Sequence, residues 1–321
     1  MRILVTGGAG FIGSHLCERL IHEGHTVIAV DDFSTGRPSN LQNLSGKQSF
    51  SLIEGSILDS SFLIPLIDSS DYVFHLAAAV GVFNIVNNPL ASLLVNIRGT
   101  ENVLEAASKK QIPVFLTSSS EVYGKNISNS LKESDDRILG SPITLRWSYS
   151  EAKAIDESLA YAYFIEKKLE TRIVRFFNTV GPRQLGAYGM VVPRFIKSAL
   201  ENNPITIYGD GNQTRCFAHV YDVIDAVISI AFSEDTVGKV VNIGNDFEIS
   251  INNLASKIIA ETNSMSTIVH IPYEEAYGSG FEDMERRVPD ISLISQLVGW
   301  KPQRDLSTII ADISADMKMS S

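Results

Sequence analysis

The sequence predicts an α/β protein in which helices cover both faces of a parallel β-sheet. Short apolar runs alternate with helix-like segments through the first half of the chain, and this alternation is typical of a doubly wound sheet. A glycine-rich turn at residues 7–13 (GGAGFIG) also separates the first apolar run from the first helix-like segment. Together the two observations predict a buried parallel sheet with a ligand site at one edge.

The elements follow in a regular order along the chain. The strand-like runs are residues 1–6, 26–30, 51–53, 72–76, 114–117 and 171–176. Helical spacing of apolar residues occurs at 13–24, 92–108, 149–168 and 219–232. Beyond residue 178 the alternation gives way to glycine, proline and polar clusters. We therefore expect two interleaved domains: 1–177 with about 218–240, and a smaller C-terminal substrate-binding domain of 178–217 with about 241–321.

Composition limits the functional classes. The 321 residues carry a net charge of -10, which argues against nucleic acid as the main partner. We see no membrane span and no signal peptide, and we expect a cytoplasmic protein that does not bind a membrane. Cys17 and Cys216 are expected to be free thiols, and no metal site is expected.

The glycine-rich turn predicts a Rossmann dinucleotide site. Gly7, Gly10 and Gly13 have the spacing that allows a tight turn, close approach of a pyrophosphate, and tight packing of helix on strand. Asp31 ends the second strand, where a carboxylate binds the adenosine ribose. Because Asp31 would repel a 2′-phosphate, we expect NAD and not NADP. Arg37 leaves the alternative open, since a nearby arginine accommodates that phosphate.

A tyrosine and a lysine form the candidate catalytic pair. Tyr149 and Lys153 are four residues apart, so a helix would place them on one face. The ammonium group would favour the phenolate and lower the tyrosine pKa, which suits a base that takes a proton from a sugar hydroxyl. Serines at 118–120 follow a strand, where their hydroxyl groups either polarise that hydroxyl or cap the backbone.

With these motifs, the chain resembles the extended short-chain dehydrogenase/reductases that modify sugar nucleotides. The resemblance spans almost the whole chain. It is carried by TGGAGFIG at 6–13, Asp31, HLAA at 75–78, Asn96, SSSEVYG at 118–124, the Tyr149/Lys153 pair, FNTVGPR at 177–183, YGDGNQTRCF at 208–217, VNIGN at 241–245 and RVPD at 287–290.

The resemblance implies a role for each matching residue. Tyr149 would be the base, with Lys153 its partner and a ligand of the nicotinamide ribose, and Ser119, Ser120 and Glu121 would complete the catalytic group. The NAD site would comprise Gly7, Gly10, Phe11, Ile12, Gly13, Asp31, Ser56, Ile57, Leu76, Ala77, Ala78, Asn96, Tyr149, Lys153 and Phe176. The UDP-sugar would contact Asn178, Val192, Arg215 and Arg287. Arginine is also the natural bidentate clamp for phosphate.

Some of these residues have alternative interpretations. Glu121 could instead cap backbone N–H groups at the strand end. Arg287 could instead form a surface ion pair with Glu282, Asp283 or Glu285. The sequence also departs from the family at Ser56, where an aspartate is usual, and at Cys216, where the family often has aspartate too.

The reaction is a choice between two outcomes of oxidation at C4 of the sugar. A dehydratase is disfavoured because Ser120 stands where its aspartic acid is usual. We favour a UDP-sugar 4-epimerase, with a UDP-glucuronate decarboxylase as the alternative. The run at 118–124 and RVPD at 287–290 resemble the decarboxylase, whereas the loops at 80–89 and 278–287 differ from it.

Two further expectations concern the state of the protein. NAD should stay tightly bound and be regenerated in each turnover, and the helices at 92–108 and 149–168 could pair in a homodimer. A non-catalytic dinucleotide sensor is the remote alternative from another functional class.

Overall fold

The structure is a computed structural model that describes residues 1–81, 85, 87–186, 190–272, 275, 284 and 286–319. Its centre is a sheet of seven strands, and every neighbouring pair in it is parallel. The strands are β1 (Arg2–Thr6), β2 (Thr26–Asp31), β3 (Phe50–Glu54), β4 (Tyr72–His75), β5 (Val114–Ser119), β6 (Thr171–Phe176) and β7 (Val240–Ile243). The predicted α/β fold is confirmed, and each of the six predicted strands is present.

Nine helices are labelled among the described residues. They are α1 (Phe11–His22), α2 (Ser60–Asp68), α3 (Pro89–Lys110), α4 (Ser148–Lys167), α5 (Val191–Leu200), α6 (Val220–Ala231), α7 (Ile251–Thr262), α8 (Ser292–Val298) and α9 (Leu306–Met319). The four helices that the sequence predicts correspond to α1, α3, α4 and α6.

Two apolar cores cover the two faces of the sheet. Ile3 and Val5 face a cluster that includes residues of α1, α6 and α8. Leu4 faces the opposite cluster, which includes residues of α2, α3 and α4. Successive side chains of a strand point to opposite faces, so a strand covered on both sides must be apolar throughout. This explains the uninterrupted apolar runs in the sequence. Helix α6 packs against α1.

The strand order places a crevice at the carboxyl end of β1. The sheet runs β7-β6-β5-β4-β1-β2-β3, so the chain continues from β1 to β2 on one side and reaches β4 on the other. The connections diverge at this point and leave a gap between the loops that follow β1 and β4. Ligands of open α/β sheets bind in such a gap.

A separate apolar core lies outside the sheet. It comprises residues of α5, α7 and α9, with Ile205 and Ile207 of the short strand Ile205–Tyr208. Other short strands pair nearby: Thr179–Val180 with Ala218–His219, and Thr214–Cys216 with both Glu248–Ser250 and Arg286–Arg287. No described helix has the length and apolar character needed to cross a bilayer.

The predicted domain limit at about residue 240 falls on the first residue of β7, whose remaining residues Val241–Ile243 pair with β6 in the large sheet. Ile294 of α8 and Trp300 belong to the core of the same sheet. The large sheet therefore takes up segments that the sequence assigns to the smaller domain.

Candidate active site

A cavity of about 710 Å³ opens at the carboxyl ends of the strands. Its wall includes the glycine turn after β1, the loop after β4, the serines after β5 and the beginning of α4. The opposite wall comes from α5 and the short strands around Arg215 and Arg287. The cavity therefore brings together residues from both ends of the chain.

The glycine turn lines the cavity, and the close packing of its backbone leaves no room for side chains. Gly7 has a φ of 70°, and a Cβ on it would lie 2.7 Å from the backbone nitrogen of Ala77. A Cβ on Gly13 would lie 2.1 Å from the carbonyl oxygen of Gly7. Helix α1 begins after Gly10 and has no acidic residue in its first turn. Its first N–H groups and the positive end of its dipole are therefore suited to a phosphate group.

Asp31 lies at the end of β2, as predicted, and lines the cavity. Its carboxylate oxygens accept hydrogen bonds from the backbone N–H groups of Ala9 and Phe33, each at 2.9 Å. Burial raises the pKa of Asp31, and these N–H groups act in the opposite direction. Arg37 is exposed and does not line the cavity. The geometry thus suits a ribose hydroxyl better than a 2′-phosphate.

Most of the other predicted cofactor residues also line the cavity. They are Phe11, Ile12, Ile57, Leu76, Ala77, Ala78 and Phe176. Ser56 and Asn96 do not. The Ser56 hydroxyl accepts from the N–H of Leu58 at 3.3 Å. The Asn96 amide is buried and bonds to both backbone groups of Ala79, so it holds the loop after β4 in place from behind.

Tyr149 and Lys153 lie on one face of α4, and both line the cavity. The Tyr149 hydroxyl group is hydrogen-bonded to Ser119. The Lys153 ammonium group donates to the carbonyl oxygen of Thr117 at 3.1 Å and to Asp156 at 3.2 Å. Burial, Glu121 and Asp156 raise the pKa of Tyr149, although its Ser119 hydrogen bond lowers it. The expectation of a lowered pKa is wrong for this state, because burial of the phenol, with the charges of Glu121 and Asp156, disfavours the phenolate.

Glu121 forms the centre of a charged cluster beside the tyrosine. Its Oε2 lies 2.5 Å from Arg146 Nη1, and its Oε1 lies 2.7 Å from Arg287 Nη1. Burial raises the pKa of Glu121, but the two arginines outweigh that effect and hold the pKa well below its usual range. Arg287 Nη1 also lies 3.5 Å from the hydroxyl group of Ser120. Glu121 is therefore an anion bridging two guanidinium groups, and Arg287 is buried rather than on the surface.

The predicted substrate residues all line the cavity. Arg215 and Arg287 lie side by side on two adjacent short parallel strands, whose register pairs them directly. Asn178 donates from its amide to the carbonyl oxygen of Cys216 at 3.0 Å, which connects the loop after β6 to the Arg215 strand. Val192 is fully buried in α5. Glu282, Asp283 and Glu285, and parts of the loops at 80–89 and 278–287, lie outside the described residues.

The sequence did not single out three residues of this region. Arg146 lies one turn before Tyr149 and binds Glu121. Asp156 lies one turn after Lys153 and binds it. Arg183 lines the cavity and pairs with Glu18 of α1. The spacing of Arg146 and Asp156 from the catalytic pair was a usable signal, because residues three apart on helical turns are neighbours.

Known proteins share both the sequence and the fold. The model of the NAD dependent epimerase/dehydratase family matches residues 3–244. The chain is 42% identical to the UDP-N-acetyl-alpha-D-glucosaminuronate decarboxylase of Bacillus cytotoxicus, over 94% of this chain and 92% of that protein. It is 37% identical to UDP-glucuronic acid decarboxylase 1 of Danio rerio, over 94% of this chain and 69% of that protein.

A solved structure with the same fold is UDP-glucuronic acid 4-epimerase from Bacillus cereus, in complex with UDP-glucuronic acid and NAD. It is 31% identical, has a TM-score of 0.90, and the match covers 100% of both chains. UDP-glucose 4-epimerase from Thermotoga maritima has a TM-score of 0.89 at 29% identity, over 100% of this chain and 99% of that chain.

Proposed function

The chain belongs to the NAD dependent epimerase/dehydratase family, and on that basis we propose that it decarboxylates a UDP-uronic acid. The observation that carries the proposal is the pairing of Glu121 with Arg146 and Arg287 beside Tyr149. Arginine is the side chain best suited to bind a carboxylate. Two guanidinium groups share a single carboxylate here, so the cluster keeps an excess of positive charge that favours a sugar with a carboxylate.

The relatives change which of the two reactions left open by the sequence is better supported. The sequence favours a 4-epimerase, but the curated relatives are decarboxylases of UDP-linked uronic acids and support the alternative better. The epimerase from Bacillus cereus was solved with UDP-glucuronic acid, so both comparisons point to an acidic sugar. We propose UDP-glucuronate or its 2-acetamido counterpart as the substrate.

NAD is the cofactor, and the cavity residues fit it. Gly7, Gly10 and Gly13 leave room for its pyrophosphate, Asp31 would bind its adenosine ribose, and Lys153 would bind its nicotinamide ribose. When bound, NAD supplies reversible hydride transfer at a sugar carbon. We propose that the protein retains NAD between turnovers, so the purified protein should carry it. Protein that is isolated empty and consumes NAD stoichiometrically would contradict this.

The residues around the sugar supply the proton transfers. Tyr149 takes the proton of the C4 hydroxyl, while Ser119 holds the phenol oxygen in place. The 4-keto uronate is a β-keto acid, so its bond from C5 to the carboxyl carbon breaks and carbon dioxide leaves. The electron pair of that bond passes to the C4 oxygen as an enolate, and a proton returns at C5. Tyr149 then returns its proton to the C4 oxygen as the hydride lost from C4 is restored, so the net change is loss of carbon dioxide alone. The guanidinium groups of Arg146 and Arg287 stabilise negative charge at this position.

The proposal is tested by product analysis. The protein is incubated with NAD and, separately, with UDP-glucuronate, UDP-N-acetylglucosaminuronate, UDP-glucose and UDP-N-acetylglucosamine, and the products are resolved by NMR. Release of carbon dioxide from either uronate supports the proposal. Inversion at C4 without loss of mass would establish the epimerase instead. Tyr149→Phe, whose kcat should fall at least about 10²-fold, controls for contaminating enzymes.

We also propose a homodimer formed through α3 and α4, which pack side by side. Ile155, Tyr161 and Ile165 of α4 are 42%, 51% and 47% exposed, an apolar surface that a partner would cover. Ile165→Glu should give a monomer in sedimentation velocity. Ile127→Glu is the control, because Ile127 is 93% exposed elsewhere and its substitution should leave a dimer. A monomeric wild-type protein would refute the proposal.

We propose the cytoplasm as the compartment, as the composition indicates. Cys17 and Cys216 are both buried free thiols, the state that a reducing compartment maintains. Fractionation of the source cells, with the protein followed by an antibody, would test this assignment.

A further inference from the structure

Lys153 is held so that one of its N–H groups is directed to the cavity. An ammonium group has three donors. Two of them bind the carbonyl oxygen of Thr117 and Oδ2 of Asp156. The side chain is only 2% exposed, and it lines the cavity wall. The position of Asp156 therefore determines where the third N–H points.

Asp156 is the end of a buried hydrogen-bond chain. The Thr100 hydroxyl group of α3 acts on the Asp156 carboxyl as a donor that lowers its pKa. The Thr100 hydroxyl oxygen lies 3.1 Å from Nε2 of His75. Nδ1 of His75 lies 2.7 Å from the hydroxyl oxygen of Thr6, which accepts from the N–H of Ala77 at 3.3 Å. Thr6, His75, Thr100 and Asp156 are all essentially inaccessible to solvent.

The chain has a single consistent direction. An ionised carboxylate only accepts, so the Thr100 hydroxyl must donate to Asp156. The Thr100 oxygen then accepts from Nε2–H of His75. Burial lowers the pKa of His75 to about 3, so the ring is neutral and its Nδ1 accepts from Thr6. Every donor points toward Asp156, and such aligned bonds polarise one another.

We propose that Asp156 is a positioning residue for Lys153, and that the chain from Ala77 through Thr6, His75 and Thr100 holds Asp156 as its acceptor. The chain joins the cofactor loop after β4 to the catalytic lysine, and both of its ends, Ala77 and Lys153, line the cavity. In this chain the His75 ring is neutral, accepts a hydrogen bond from Thr6 and donates one to Thr100. The inference rests on the proposed function of Tyr149 and Lys153.

Few groups stabilise the charge on Asp156. Its Oδ1 has no hydrogen-bond partner among the residues that the structure describes, so Lys153 and Thr100 are its principal partners. Burial raises the pKa of Asp156, and the nearby Glu157 adds to that effect. Removal of the Thr100 hydroxyl group therefore weakens the anion that holds Lys153.

The first experiment compares Thr100→Val with Thr100→Ser in the full-length, NAD-loaded protein. Valine has the shape of threonine without the donor, whereas serine keeps it. We expect Thr100→Val to lower kcat about tenfold with KM for the UDP-uronate unchanged, and Thr100→Ser to restore most of kcat. Thr236→Val is the matched control, because Thr236 is equally buried and hydrogen-bonded to Arg172, away from the cavity.

The second experiment measures the pH profile of Asp156→Asn. Charged groups on two elements face Tyr149. Asp156 and Lys153 lie on the same helix as Tyr149, and Glu121 lies with its two arginines at the turn after β5. The Asp156 charge raises the pKa of Tyr149. Loss of that charge should lower kcat and also move the acid limb of the profile to lower pH. A purely structural defect would not move the limb.

The outcomes separate the two proposals. If the wild-type protein does not decarboxylate any UDP-uronate, the proposed function fails. If the wild type is active but Thr100→Val and Asp156→Asn keep its kcat and its acid limb, the positioning role is overturned. A loss of activity in Thr236→Val equal to that in Thr100→Val would also overturn it.

Discussion

At the scale of single residues, Glu121 shows how burial and charge compete. A buried carboxylate costs free energy unless opposite charges and hydrogen bonds compensate for it. Arg146 and Arg287 do so from two different parts of the chain, and their combined effect on the pKa of Glu121 exceeds that of burial. The cluster is therefore both an anchor for the cavity wall and a charged surface for the substrate.

Glu121→Gln should destabilise the protein by about 3 kcal/mol at neutral pH, since it leaves two buried guanidinium groups without their carboxylate. Because the pKa of Glu121 is lower in the folded state, its contribution is present above about pH 4.3 and is lost as the pH falls. The difference in the free energy of unfolding between wild type and variant, measured by urea unfolding, should therefore become smaller as the pH falls. Glu248→Gln, which removes a largely exposed pair with Arg286, should cost under about 1 kcal/mol.

Tyr149→Phe should reduce kcat by about 10² to 10⁴, because only the proton-transferring hydroxyl group is lost. NAD binding, measured by calorimetry, should remain. In the wild type, the raised pKa of Tyr149 predicts that kcat increases as the pH rises through the alkaline range, as the phenol ionises. Turnover in the variant at the wild-type rate would exclude Tyr149 as the base.

At the scale of elements, the turn between β1 and α1 depends on backbone approach. Gly13 packs directly on the carbonyl of Gly7, and Gly7 packs on the loop after β4. These contacts bring the N–H groups of α1 to the cavity and join three segments of chain. A substitution that disturbs any of these contacts should weaken the binding of a phosphate group.

Gly13→Ala should weaken NAD binding and destabilise the fold by about 1–3 kcal/mol, because the new Cβ would overlap the backbone of the turn. Gly24→Ala is the control at the other end of α1. Gly24 has a φ of 86° and no neighbour within 4 Å, so its substitution should cost about 1 kcal/mol without affecting NAD binding. Calorimetry with NAD and thermal unfolding measure both effects. Equal NAD affinity in the two variants would contradict this account.

The elements were predictable to the extent that their pattern is local. The first six strands lie in apolar runs, and the helices α1, α3, α4 and α6 have clear periods in the sequence. Strand β7 and the two-residue strand Arg286–Arg287 lie beyond the regular alternation of the first half of the chain, and only their partners define them. The Asn96 side chain bonds to Ala79 behind the cavity wall, a contact that no local pattern predicts.

At the scale of the whole molecule, Arg183 connects the helices of the large sheet with the separate apolar core formed by α5, α7 and α9. Its guanidinium group binds both carboxylate oxygens of Glu18 in α1, and its backbone N–H binds Asp316 in α9. Nη1 also donates to the Ser14 hydroxyl group at 3.3 Å. Because Arg183 lines the cavity as well, this contact positions α9, and the core that it shares with α5 and α7, relative to the cofactor helix.

Arg183→Ala should raise KM several-fold with little change in kcat, because the chemical groups stay in place while the cavity walls lose a link. The stability cost should be about 1 kcal/mol, since the ion pair is partly exposed. Arg19→Ala is the matched control, because Arg19 also projects from α1 but pairs with Glu23 and Asp225 on the outer surface. Steady-state kinetics would distinguish them, and an equal KM in both variants would refute the link.

The sequence alone predicts the sheet, the glycine turn, Asp31 as the ribose carboxylate and the Tyr149/Lys153 pair. Each is encoded by residues close together in the chain, so a period or a spacing reveals it. The tertiary structure decided the partners: Glu121 with Arg287, Lys153 with Asp156, and Thr6 with His75 and Thr100. Those contacts come mostly from residues far apart in the chain, and burial makes each charge depend on its neighbours, which no local pattern records.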